Sequence, residues 1–304
     1  MDARALETLR TVGSQGGVTA AAAVLHLTPS AVSQQVAVLQ REVGVPLTER
    51  VGRGLRLTPA GEALAVAGLD VAVALERAQA ACDAFLERPK GTVRVSAFQS
   101  GAELLLPGLL TRVGRLGGIT LECTDEDVAQ EDFAALTDRI DIVVAHRPEG
   151  SPGWPGVRVV PLLREPLDVA VALDHPLAGR TAVEPADLAD ADWISVRVGF
   201  PIAALVTEVA TRAGTESAGT APRIVHRVND FHVVEALVGA GHGISLLPRY
   251  TFGGSTRIRL LPLEGVRAGR RIDALLRRDR FERVVVRRVL HELQTLAGEI
   301  APAP

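Results

Sequence analysis

Lysine is almost absent from this chain: Lys90 is the only one in 304 residues, and arginine carries the rest of the positive charge. Cysteine is nearly as scarce. Cys82 and Cys123 lie in segments of different character, which makes a disulfide framework unlikely, and two thiols make no metal cluster. No run of about 18 apolar residues occurs, although 47% of the residues are hydrophobic, so no membrane span and no membrane partner are expected. The opening MDARALETLR is charged and lacks the apolar centre of a signal peptide. These absences imply a soluble, cytoplasmic protein. The seven histidines show no HxxxH or similar ligand spacing, and no G-x-S-x-G elbow appears. No metal, no cofactor and no catalytic set are therefore expected, and the chain does not read as an enzyme. GAGHG, Gly239 to Gly243, is no dinucleotide loop: a helix precedes it and a strand follows, the reverse of that fingerprint. It reads as a helix end.

Excess positive charge is also missing. The net charge is −3, which argues against coating nucleic acid along the whole chain. The first 58 residues differ, with six arginines against four acids. ARALETLRTVG places Leu6, Leu9 and Val12 at helical spacing, and Gly16 and Gly17 end that helix. Thr19 is the expected cap of a short alanine-rich helix, and a turn leads to LTPSAVSQQVAVLQREVG. Here Thr28 caps, Pro29 takes the first helical position, and Val32, Val36, Leu39 and Val43 form an apolar stripe. A second stripe holds Ser30, Ser33, Gln34, Ala37 and Arg41; it is small, polar and free of acids. Two short helices joined by a tight turn, the second with a polar outer face, form a helix-turn-helix pattern. VPLTERVGRGLRLTP then suggests a β-wing carrying Arg50, Arg53 and Arg56.

Thr58-Pro59 starts a long helix expected to reach about Arg88. Its positions Leu64, Gly68, Val71, Leu75, Ala78, Cys82 and Phe85 step by four and three, the rhythm of a coiled coil. Such a seam on a lone helix implies a second copy. Pro89 ends the helix, and RPKG is the hinge. From Thr92 strands alternate with helices: TVRVSAF, ITLECTD and IDIVVAH frame a βαβαβ unit, which implies a parallel sheet. The pattern restarts with LDVAVAL, DWISV, RIVHRV and GISLLP. RIDALLRRDR reads as a strand, and FERVVVRRVLHELQTLAGEI as an amphipathic helix.

The segment VTAAAAVLHLTPSAVSQQVAVLQREVGVPLTERVGRGLRLTPAGEAL resembles the winged helix-turn-helix of LysR-type transcriptional regulators. DHPLAG and EALVGAGHGISLLP resemble later segments of the same family. The resemblance implies an α/β chain of three parts: a winged helix-turn-helix over 1–58, a linker and dimerisation helix over 59–90, and a two-lobed, periplasmic-binding-protein-like effector domain over 91–304. Lobe I would take about 91–161 and 268–304, and lobe II about 162–267. It further implies promoter DNA, a small-molecule effector, a homodimer or homotetramer, and RNA polymerase as partners. One departure stands out. The family often has basic residues where this chain has Gln34 and Ala37. Glutamine reads adenine through paired hydrogen bonds but neutralises no phosphate, so the wing arginines must supply more of the salt-dependent affinity.

Ligands of two-lobed α/β folds bind between the lobes, at strand C-termini and helix N-termini. Four places qualify: Gln99 and Ser100 after the first strand, Arg147 after the third, Arg197, Gly199 and Phe200 after DWISV, and Asn229, Asp230 and Phe231 after RIVHRV. Arginine beside helix N-termini suits a carboxylate; Asp230 suits an amine or hydroxyl instead. An amino acid or a small organic acid is expected. The alternative to a regulator is a cytoplasmic two-lobed solute-binding protein whose first domain only dimerises.

Overall fold

The computed structural model describes the chain except residues 53, 84, 86–88, 127, 199, 214–222 and 302–304. Arg53 and Gly199, both expected site residues, lie outside the described residues.

Three helices and a hairpin form the head: α1 (Ala3–Ser14), α2 (Val18–Leu25), α3 (Pro29–Val43), β1 (Thr48–Val51) and β2 (Gly54–Leu57). Asp2 caps α1 by accepting from the Arg4 amide at 3.2 Å. The cap of α2 is Gly17 rather than Thr19, because the helix already begins at Val18 and Thr19 falls inside its first turn. Thr28 caps α3, its hydroxyl accepting from the Ala31 amide at 3.1 Å, and Gly44 ends it at φ 77°, where a side chain would be strained. Val32, Val36 and Leu39 pack with Leu6, Leu9, Val12, Ala21, Ala22 and Leu47 in a core of the head's own. Burying each of the larger side chains contributes about 1.5–3 kcal/mol.

Helix α4 (Pro59–Asp83) leaves the head behind Thr58, whose hydroxyl accepts from the Gly61 amide. The expected extension to Arg88 runs into residues outside the described set. Two glycines let α4 lie close against the head. A Cβ at Gly61 would stand 2.0 Å from the Leu47 carbonyl oxygen, and one at Gly68 would stand 3.0 Å from the Leu6 Cβ. The heptad seam therefore divides. Leu64 and Gly68 are spent against the head, while Val71, Leu75, Ala78 and Cys82 are exposed.

The remaining chain forms two lobes. Lobe I stacks β4 (Ile119–Asp125), β3 (Gly91–Ala97), β5 (Ile142–Pro148), β11 (Gly269–Leu276) and the first part of β6 (Arg158–Ala172) into one sheet. β3 runs parallel to both neighbours, as the βαβαβ pattern implied, whereas β11 is antiparallel to β5 and β6. Helices α5 (Gln99–Leu116), α6 (Phe133–Leu136), α10 (Arg278–Glu282) and α11 (Val284–Ile300) complete this lobe. The expected strand RIDALLRRDR stops at Leu276, and its arginine-rich end turns into α10.

Lobe II takes the second part of β6, β7 (Trp193–Ser195), β8 (Ile224–Arg227), β9 (Ser245–Pro248) and β10 (Ile258–Leu261), with α7 (Pro201–Ala213), α8 (Phe231–Gly239) and α9 (Arg249–Phe252). Each lobe has a separate apolar core. β6 passes between them without a break: Arg158–Pro166 pairs with β11, and Leu167–Ala172 pairs with β9 and β10. A lobe boundary at 161/162 thus falls inside a continuous strand. Lobe I also leans on the linker helix, through ion pairs Arg278–Asp70 and Arg77–Glu282, both 3.0 Å. Among the described residues no helix is long and apolar enough to cross a membrane.

Candidate nucleic-acid interface and ligand cleft

The apolar stripe of α3 faces inward, so helical geometry turns Ser30, Ser33, Gln34, Ala37 and Arg41 outward, and all five are exposed. Thr28 sits at the same end of the helix as its cap. Arg41 reaches back along α3 to the Ala37 carbonyl at 3.4 Å, and neither Glu42 nor Glu49 pairs with it. Arg50 and Arg56 are exposed, and neither makes an ion pair among the described residues. The hairpin register separates the two. Arg56 stands opposite Glu49, while Arg50 stands opposite Leu55 and shares a groove with Ser33, Gly17, Thr19 and Gly52. That groove runs from the N-terminus of α2 across α3 to the wing. Gly17 and Thr19 on its floor were not anticipated as contact residues; their spacing signals only a helix start.

A narrow cleft opens between the lobes, lined by Phe98, Gln99, Ser100, His146, Val196, Phe200, Ile202, Asn229, Phe231 and Arg270. Five expected residues meet there: Gln99, Ser100, Phe200, Asn229 and Phe231. Asp230 stands beside them as the cap of α8, accepting from the His232 and Val233 amides at 2.8 and 3.3 Å. Burial works against its charge, but Gln99 and these two amides hold its carboxyl below the usual range. Because Gln99 belongs to lobe I and Asp230 to lobe II, this contact also spans the cleft mouth. Glu103 and His232 span it a second time, 3.0 Å apart.

Two arginines expected in the cleft are elsewhere. Arg147 turns into lobe I, donating to Asp273 at 2.9 Å and to the Ser151 carbonyl, with its guanidinium over Trp154. Arg197 is exposed; only its backbone amide reaches the site, donating to Asn229 Oδ1 at 2.8 Å.

The arginine that does line the cleft is Arg270, which is 1% exposed. Its Nε and Nη2 donate to Oε2 of Glu165 at 2.9 and 2.6 Å, and Nη2 also donates to the Ser100 hydroxyl at 2.8 Å. The rings of Phe98 and Phe231 lie 4.7 and 5.9 Å from its central carbon. Nη1 has no hydrogen bond among the described residues. The pair was not read from sequence because Glu165 and Arg270 are 105 residues apart, and only the β6–β11 register makes them neighbours. Each strand carries several charges, so nothing local singles these two out.

His146 completes the floor. Its ring lies tilted against Phe98, centroids 4.3 Å apart, and edge-on to Phe133 at 5.9 Å, and its Nδ1 has no partner. Burial first, and the positive charge of Arg270 second, push its pKa well below the ordinary 6.5. The unfolded chain therefore binds a proton there that the folded chain refuses. The contribution to stability is complete above about pH 6.5 and falls below it, by up to about 1.4 kcal/mol per pH unit. Thermal unfolding between pH 7 and pH 5 should show Tm dropping with acid. His146→Leu should flatten part of that slope; an identical slope would mean that His146 takes up a proton while folded.

The helix-turn-helix family described as "Bacterial regulatory helix-turn-helix protein, lysR family" matches residues 3–62, and the "LysR substrate binding domain" matches residues 86–298. Among curated proteins, the transcriptional dual regulator GltC of Bacillus subtilis (strain 168) is 27% identical over 230 residues, covering 75% of this chain and 74% of GltC. The HTH-type transcriptional regulator CbbR of Xanthobacter flavus is 26% identical over 286 residues, 91% of this chain and 82% of CbbR. Among solved structures, a full-length OxyR variant from Pseudomonas aeruginosa superposes with a TM-score of 0.67 at 20% identity, covering 98% of this chain and 95% of that one. ArgP from Mycobacterium tuberculosis superposes at 0.63 with 22% identity, covering 98% and 97%. With an acid-free helix face on the head and a cleft between the lobes behind it, the chain belongs to the LysR family: it is a DNA-binding transcriptional regulator with an effector-binding domain.

Proposed function

We propose that α3 lies in the major groove and reads base edges through Ser30, Ser33 and Gln34, while Thr28, Arg41, Arg50, Arg53 and Arg56 hold the phosphates. The observation that carries this reading is the outward face of α3, which is polar, free of acids and open along its length. Gln34 is the side chain suited to paired hydrogen bonds with adenine. Arg50 and the N-terminus of α2 border one groove, so the backbone is met from both the helix and the wing. The alternative, a solute-binding protein with a dimerising first domain, leaves this face without a role. Transcriptional control in the cytoplasm, together with RNA polymerase and with no chemistry catalysed, follows from the regulator reading.

The head, the linker helix and the two lobes serve as separate functional parts, divided near residues 58 and 90. The exposed seam of α4 supports a homodimer through the linker: Leu75 is 57% exposed and Val71 42%, which is costly in water and natural against a second copy. Pairs of such dimers make the tetramer.

In the cleft, donors outnumber free acceptors. Arg270 Nη1 is open, and α5 starts without a side-chain cap, leaving its first amides free. Two acceptors are engaged: Asn229 Oδ1 by the Arg197 amide, and Asp230 Oδ1 by the start of α8. The open donors set the polar end of the guest, so the effector is a small organic acid with an apolar body set among Phe98, Phe200 and Phe231.

Three outcomes are expected. Gln34→Ala should relax sequence preference by about 1–3 kcal/mol at one base pair, whereas Arg50→Ala should weaken every duplex alike and lower the salt slope by about one. Gel shifts on the DNA upstream of the gene check both, and undiminished selectivity in Gln34→Ala would remove α3 as the reader. Leu75→Asp would bury a charge in the seam, and sedimentation should show smaller particles; an unchanged mass would mean that the seam packs otherwise. Small monocarboxylates such as benzoate should raise Tm where benzamide does not, and Arg270→Gln should abolish the difference. Equal shifts from acid and amide would refute the anion site.

A further inference from the structure

Helix α1 of the head does more than pack on α4. Its outer face carries Glu7, Arg10, Ser14 and Gln15, and all four reach into lobe I. Asp138, which follows α6, receives Arg10 Nη1 at 2.6 Å, the Ser14 hydroxyl, and Gln15 Nε2 at 2.7 Å; Gln15 also donates to the Ala135 carbonyl at 3.2 Å. Arg277 crosses the other way, donating to Glu7 Oε1 at 2.6 Å. The side chains of Arg10, Asp138 and Arg277 are 12%, 3% and 7% exposed. These are partly desolvated contacts that salt screens only weakly.

We propose that this junction is a reversible latch inside one chain, through which lobe I holds the DNA-reading head and passes on movements of the cleft. Three features support it. First, each half compensates its own arginine when the two separate. Arg10 keeps Glu7 at 2.9 Å on the head, and Arg277 keeps Asp279 at 2.6–2.7 Å on lobe I. Asp138 loses its partners on the head but keeps Arg277 Nη1 at 3.9 Å within lobe I, and on opening it gains water. Opening therefore strands no buried charge, the event that makes broken ion pairs so costly. Second, the latch grips the head from behind. It uses α1, while the outward face of α3 stays open, so a latched head is free to meet DNA. Third, the same strand serves both sites. β11 begins at the cleft with Arg270 and delivers Arg277 immediately after its last residue. Seven residues of strand span about 23 Å, and sheet pairing to β5 and β6 on both sides makes them one stiff element. β5 repeats the arrangement, with Asp138 shortly before it and His146 of the cleft upon it. The transmission to the cleft rests on the effector reading above; the latch itself does not.

Hydrogen exchange on the full-length protein tests it without any effector. Asp138→Asn should speed exchange at least tenfold in the turn after α1, residues 13–17, which lies in the other domain. Arg10→Gln should do the same to residues 135–140, and wild type in 1 M NaCl should move in both places by less. The milder Gln15→Ala should reproduce the pattern in reduced form if Asp138→Asn fails to fold. Operator affinity by gel shift should stay within about threefold of wild type for the junction variants. Changes confined to the mutated side of the junction would overturn the latch, as would loss of DNA binding, which would make Asp138 a prop for folding the head. Failure of wild type to bind DNA would count against the DNA reading and leave the exchange result standing.

Discussion

The Glu165–Arg270 pair stands where the architecture has least freedom. β6 and β11 cross from one lobe to the other side by side, and the two residues face each other in register at that crossing. Both side chains are almost fully buried. Removing one partner of such a pair typically costs about 3–5 kcal/mol, because the survivor is left charged and unsolvated. The pair is also incomplete: Glu165 Oε1 has no partner, and both arginine bonds converge on Oε2. An ion pair that is buried yet leaves one nitrogen toward a cavity is stable enough to persist and still able to accept a guest. Gly269 permits the crossing, since a Cβ there would stand 3.1 Å from the Glu165 carbonyl oxygen.

From that crossing, lobe I extends as a plate with a candidate site at each end. One end is the cleft, with Ser100, His146 and Arg270; the other is the α1 junction, with Asp138 and Arg277. The intervening strands are held by apolar packing on both faces, with Val143, Val144, Ala274 and Leu275 fully buried. Densely packed cores shift as units rather than deforming smoothly. A ligand can move an equilibrium only by favouring one arrangement over another. Here the candidate arrangements are concrete: contacts spanning the cleft mouth, Gln99–Asp230 and Glu103–His232, and contacts spanning the junction at the far edge.

The head was legible in the sequence because its information is local. Caps, prolines and apolar stripes act within one or two turns, and Thr28, Pro29, Val32, Val36 and Leu39 settle α3 without reference to the rest of the chain. Most strands of the lobes were legible from alternation, but β10, the first half of β6 and the antiparallel pairing of β6 and β11 were not. What escaped depended on register. In the sequence Arg147 stands out just after IDIVVAH, whereas Arg270 falls just before the expected strand RIDALLRRDR. Pairing decides otherwise: β5 turns Arg147 to Asp273 on the neighbouring strand, while β11 sets Arg270 against Glu165 at the cleft. The junction was invisible for the same reason. Arg10 and Asp138 are 128 residues apart, and each reads singly as a solvated charge.

The charge of the chain follows the same division of labour. A protein of net charge −3 meets a polyanion only if its positive charge is concentrated where the DNA lies. In the head, Arg10 is spent on Glu7 and Asp138, so it adds nothing to the DNA face. What remains among the described residues is Arg4, Arg41, Arg50 and Arg56, all free of ion pairs, against Glu49 on the wing and Glu42, which is engaged by the N-terminal amine at 3.3 Å. Phosphate affinity grows with the number of cations in contact, and so does its loss in salt. On the proposed reading, a head with few free arginines, and with Gln34 where the family often has a base, is expected to bind any single half-site weakly. Strong binding must come from joining heads on one duplex, where the second contact is effectively intramolecular. The exposed seam of α4 is the proposed means of that joining, and on that reading the weight of operator recognition falls on assembly as much as on α3.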